Sequence, residues 1–146
     1  MKNSILEILE RDLKKLAEEI QLYRDDALIW KTMDGISNSA GNLCLHLCGN
    51  LQHFIGAVLG ASGYVRNREA EFTQKNISKE KLLAEIETTL QSVRNTFSAL
   101  DTELLKKNYP VEVLGKVTST EYFLLHLISH FDYHLGQINY HRRLVK

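Results

Sequence analysis

Three histidines recur every fourth residue near the C-terminal end of the sequence: His126, His130 and His134. Residues four apart on a helix lie about 40° apart, so these rings form one stripe, continued by Gln137 and His141. A His-x-x-x-His pair on a helix is a natural chelate, because both imidazoles project from one face toward one ion. About 12 Å of helix rise separates His126 from His134, so one metal takes either His126 and His130 or His130 and His134. A third imidazole from a facing helix would leave a coordination position open, the pattern of catalytic zinc. His46 or His53 can supply it. Asn42 and Asn50 flank His46 at about 40° and His53 lies about 20° away, so His46 sits on a stripe of polar and small groups.

Other chemistries fail on residue type. A zincin needs glutamate directly after its first histidine, but Phe131 and Asp132 follow His130, and Asp132 points about 160° away. Ferritin-like di-iron sites need Glu-x-x-His pairs, and there are none. Cys44 and Cys48 lie on the opposite side of their helix from His46 and read as small buried hydrophobes, not ligands. There is no glycine-rich phosphate loop and no Gly-x-Ser-x-Gly. A metal held by three histidines would act as a Lewis acid, or lower the pKa of a bound thiol or water toward neutrality. Asn50, one turn from His46, and Gln137 are candidates to orient a ligand or substrate. No residue stands out as a general base; His126 and His53 are the nearest candidates.

Four helical segments must position these groups. The first runs from about Asn3 to Asp26, with Ile5, Ile8, Leu9, Leu13, Leu16, Ile20 and Tyr23 at spacings of three and four. Ser37 or Asn38 is the expected N-cap of a second, from about Ala40 to Gly60. A polar connection follows from Tyr64 to Ile77, carrying Arg66, Arg68, Glu69 and Glu71. The third starts at Ser78 or Lys79 and keeps Leu82, Leu83, Ile86, Leu90, Val93, Phe97 and Leu100 in register. Thr118 and Glu121 have capping-box spacing, which starts the fourth; it extends to about His141 or beyond. Val111 to Val117 is at most a brief extended piece. The reading is all-α: a single domain over residues 1–146, folded as an antiparallel four-helix bundle.

Composition sets the outer limits. The chain has 146 residues, enough for one domain with a self-sufficient core. Eighteen basic residues balance 18 acidic ones, giving zero formal net charge. That argues against a nucleic-acid partner, which selects for basic excess. Two cysteines do not make a disulfide framework. No stretch reaches 18 apolar residues, and the charged, amphipathic N-terminus lacks the features of a secretory signal. The expectation is a cytoplasmic protein with no membrane partner and a small-molecule substrate.

The segment His126 to Ile138, above all Tyr133-His134-Leu135-Gly136-Gln137-Ile138, resembles the closing motif of the DinB-like superfamily. There the motif commonly reads His, three residues, then His-Arg-Gly-Gln-Ile, and Leu135 stands where arginine is frequent. Trp30 to Gly60, with Ser37-Asn38-Ser39 and Leu45-His46-Leu47-Cys48-Gly49-Asn50, resembles a branch of the same superfamily without an assigned activity. The resemblance implies a DinB/YfiT-like four-helix bundle whose divalent metal, nickel or zinc, is held by His46, His130 and His134. Gly136 and Gln137 match the motif's glycine and glutamine, and His53 and His126 fall near the site or just outside it. It also implies a homodimer and metal-dependent transfer of a low-molecular-weight thiol, or a hydrolysis. The alternative is a non-catalytic stress-response or binding module with a structural or vestigial metal site.

Overall fold

The computed structural model describes residues 1–146. The regular structure is all helical, with no strand, only isolated bridges at Met33–Ile36 and Asn108–Ser119. Four long helices are α1 (Lys2–Gln21), α3 (Ala40–Leu51), α5 (Lys79–Ala99) and α6 (Thr120–Leu144). Two short ones are α2 (Asp26–Ile29) and α4 (Arg68–Thr73). A π-helical turn, Gln52–Ala57, prolongs α3, and a 3₁₀ turn, Thr102–Lys106, follows α5.

Side-chain caps move several expected boundaries. The first helix ends at Gln21, not near Asp26, because the Asp25 carboxylate accepts from the Ala27 amide at 2.9 Å and opens α2 instead. Ser39, not Ser37 or Asn38, caps α3. Its hydroxyl accepts from the Asn42 amide and donates to Asn42 Oδ1, a two-way bond the earlier residues lack. Ser119 caps α6 by accepting from the Tyr122 amide at 3.1 Å, so the helix does not start on a Thr118–Glu121 box. Residues 111–117 are irregular.

Thirty buried hydrophobic residues form one core. Ile5, Leu9, Leu13, Leu16 and Ile20 of α1 face Leu82, Ile86, Leu90, Val93 and Phe97 of α5 and Phe123, Leu124, Leu127, Phe131 and Ile138 of α6. α1 packs on α5 and α6, and α3 packs on the same two helices. Cys44 and Cys48 lie inside this core as free thiols, as their place on α3 suggests. Cys48 and burial hold the Cys44 thiol well above its ordinary pKa.

The π turn is a tight passage. Its i→i−5 bonds, such as Val58 N–H to the His53 carbonyl, widen the coil as it crosses α5. A Cβ on Gly56 would sit 2.4 Å from Ser92 Oγ, and one on Gly60 would sit 2.2 Å from Thr96 Oγ1. Glycines at both places let the two backbones approach. The packing of α3 on α6 is what turns His46 toward His130 and His134. No helix is long and apolar enough to cross a membrane.

Candidate metal centre

His46 lies mid-way along α3 and is buried; His130 and His134 lie one turn apart on α6 and are half-buried. The ring centroids are 4.6 Å apart for His130 and His134, 5.0 Å for His46 and His130, and 5.3 Å for His46 and His134. One nitrogen from each ring lies within 4.8 Å of the other two. Of the two histidine pairs left open by spacing on α6, the structure brings His130 and His134 to His46. His126 stacks on Phe123, its ring centroid 6.5 Å from that of His130, outside the cluster.

The donor set fits a divalent ion. Glu71 Oε1 lies 3.0 Å from His46 Nδ1, and Gln137 Oε1 lies 2.7 Å from His134 Nδ1. Both oxygens only accept, so each Nδ1 carries the proton and each Nε2 offers a lone pair. His46 Nε2 and His130 Nε2 are 3.1 Å apart. Two imidazole nitrogens sharing a tetrahedral zinc stand about 3.4 Å apart, close to what is seen. His130 Nδ1 is buried without a hydrogen-bond partner. Burial, then the neighbouring His134 and His46, pushes the His130 pKa down to about 4. Burial also lowers that of His134, although Gln137 works against it. Neutral imidazoles are what a metal requires.

Three groups around His46 lie outside the sequence expectations. The connection from Tyr64 to Ile77 is not a plain polar linker: it folds into α4 and forms a wall of the site. Glu71 is buried there and takes Arg66 as a fork, Nε on Oε2 at 2.8 Å and Nη2 on Oε1 at 2.9 Å. Burial alone would raise the Glu71 pKa, but hydrogen bonds from His46 and Arg66 hold it below the ordinary value. Phe72 packs on the His46 ring at 4.9 Å, and Arg68 covers Phe72. The segment is tied to α3 by Asn42, whose amide donates to the carbonyls of Glu71 and Gln74 and whose oxygen accepts from Lys75. The sequence signals for α4 are Asn67, which caps it by accepting from the Ala70 amide, and Glu69 and Glu71 in its first turn.

The remaining candidates scatter. Asn50 is buried with Oδ1 unpartnered. Gln137 touches the site through His134, as above. His53 packs edge-on to Phe54 at 4.7 Å, and burial and Arg66 lower its pKa. Gly136 is exposed, with open space where a Cβ would stand. His141 accepts from the Tyr23 hydroxyl and donates to the Lys31 carbonyl, so both its nitrogens are spent inside the fold.

The fold and cluster define a class: an all-helical protein with three histidines placed as a divalent metal would need them. The chain belongs to the family described as "Protein of unknown function (DUF1572)", whose sequence model matches residues 3–146. No curated protein matches it.

Proposed function

We propose that the protein is a DinB-like, metal-dependent enzyme built on a four-helix bundle. His46, His130 and His134 hold one divalent ion, nickel or zinc, through Nε2. The observation that carries the reading is the convergence of three imidazole nitrogens, two of them on rings whose Nδ1 protons are already committed to acceptors. The pairwise packing of α1 and α3 on α5 and α6 supports the bundle. When bound, the ion supplies Lewis acidity at its open positions and lowers the pKa of a thiol or water there. Glu71 and Gln137 orient the ligating rings, while Phe72 shields one side of His46 from water. Asn50, one turn from His46 and with its buried amide oxygen unpartnered, is the further candidate to orient a ligand. The reaction class is transfer of a low-molecular-weight thiol to a small electrophile, or hydrolysis, in the cytoplasm. A homodimer across α6 fits its exposed Tyr133, Tyr140 and Leu144 beside the open Gly136.

Metal analysis of the purified protein tests the core of the proposal. One equivalent of nickel or zinc per chain is expected, removable by chelator and absent from His130→Ala. A wild-type protein that takes up no stoichiometric divalent metal overturns it. Turnover of a thiol with chlorodinitrobenzene, lost on chelation and restored by metal, tests the enzymatic part. Full metal occupancy, a large loss of melting temperature on chelation and no turnover would favour a structural metal instead.

A further inference from the structure

We infer that Glu71 is a positioning residue: held by Arg66 and seated in space that Gly49 leaves empty, it fixes the His46 proton on Nδ1. The Nε2 lone pair then faces the point shared with His130 and His134. The inference rests on reading that point as a metal position.

The carboxylate is buried, and a buried charge persists only with partners. Glu71 has three: both ends of the Arg66 fork and the His46 ring. Arg66 balances its charge, and Asn42 fixes its backbone. On the other side, α3 is shaped to admit it. A Cβ on Gly49 would lie 2.0 Å from Glu71 Oε2 and 2.7 Å from its carboxyl carbon. Any residue but glycine would push the carboxylate away, although glycine is a poor helix former.

Arg66 makes the arrangement sensitive. Its Nη2 lies 3.4 Å from His46 Nδ1. A guanidinium can only donate, so as the partner of Nδ1 it would force the ring proton onto Nε2 and remove that nitrogen as a ligand. Glu71 demands the opposite tautomer, from a shorter distance, and also takes one of the two Nη2 protons. Without Glu71, Arg66 is free to donate to Nδ1. Two residues that bond each other thus make contrary demands on one ring, and the carboxylate prevails only while it is present.

This predicts an unusual order of zinc affinities. Glu71→Ala should bind zinc about 10- to 100-fold more weakly than wild type, the range for a residue that orients a ligand. Adding Arg66→Ala should recover part of that loss, because the competing donor is gone. Gly49→Ala, which keeps every side chain of the network, should also weaken binding by displacing the carboxylate. Affinities come from competition with a chromophoric chelator. Nitrogen-15 NMR of the metal-free protein should place the His46 proton on Nδ1 in wild type and on Nε2 in Glu71→Ala. A loss of packing alone would make the double variant weaker than the single one, and that result overturns the inference. So does a wild-type proton on Nε2, or a Gly49→Ala variant that binds zinc as tightly as wild type. If Glu71→Ala fails to fold, Gly49→Ala and the wild-type NMR decide. If wild type binds no zinc, the metal reading falls, and the tautomer still reports whether Glu71 orients the ring.

Discussion

His46 and His141 are both helical histidines with under a tenth of their surface exposed, yet they end in opposite chemical states. His141 has nothing left to give: Tyr23 Oη stands 2.6 Å from Nδ1 and the Lys31 carbonyl 2.7 Å from Nε2. Beside it, the buried Glu19 carboxylate is closed by Asn139 at 2.8 Å and Arg142 at 2.7 Å. His46 has one nitrogen spent on Glu71 and the other aimed at two more imidazoles. Three buried side-chain atoms in the protein lack a partner, and two of them, His130 Nδ1 and Asn50 Oδ1, belong to the candidate site residues. Burial therefore does not separate the two histidines. What separates them is the partner of the second nitrogen: His141 Nε2 meets the Lys31 carbonyl, whereas His46 Nε2 meets His130 Nε2 at 3.1 Å.

The sharpest break of this comparison is a pair of alanine variants. His130→Ala should lower zinc affinity by more than about a hundredfold, beyond the range of a merely orienting residue, and leave the metal-free melting temperature nearly unchanged. His141→Ala should do the reverse. Zinc titration should match wild type, while urea unfolding should show a loss of about 2–4 kcal/mol, since a cavity opens and the Lys31 carbonyl loses its donor. Matching losses of metal in both variants would erase the distinction.

The closed region can be opened at its ion pair. Arg142→Ala leaves Glu19 charged and buried, and should cost about 3 kcal/mol in chemical denaturation. A Glu19→Gln/Arg142→Ala double variant should be more stable than the single one.

Proton linkage gives a smaller effect with a definite sign. Burial lowers the His141 pKa in the folded state, although its bond to the Lys31 carbonyl opposes this. Below about pH 6.5 the unfolded chain therefore binds more protons at this residue, and stability falls as pH falls. The Glu19 carboxyl also titrates below its usual range: burial alone would raise it, but hydrogen bonds from Arg142 and Asn139 outweigh burial. Its contribution is present above the ordinary glutamate pKa and is lost as pH drops through the lower folded value. His141→Gln should make the stability curve less steep just below pH 6.5, where His53, His130 and His134 keep contributing in the same sense, and leave the glutamate-linked part intact; urea melts at stepped pH read both. Smallest of all, Tyr23→Phe should cost about 1 kcal/mol, the net worth of one buried hydrogen bond.

Much of this was legible in the residues. The i, i+4 stripe on α6 and the polar stripe of α3 single out the histidines, because a helix converts spacing into direction. The apolar registers of α1, α3, α5 and α6 predict the long helices for the same reason. Spacing could not choose between His126 and His134, which are equivalent relative to His130. Resemblance favoured His134, and α3 packing is what brings that residue to His46. Arg66, Glu71 and Phe72 were illegible because a polar connection has no period: their roles arise from where Asn42 ties the loop. Gly49 gave no signal either, since an empty Cβ position means something only once the carboxylate filling it is known.

Local rules in the sequence thus determined the helices, their apolar faces and a stripe of histidines, because each follows from neighbours within one or two turns. Only the tertiary structure decided which three histidines meet, which nitrogens they present and which carboxylate orients one of them. Those outcomes depend on residues 25 to 88 positions apart, between which no local periodicity can carry information.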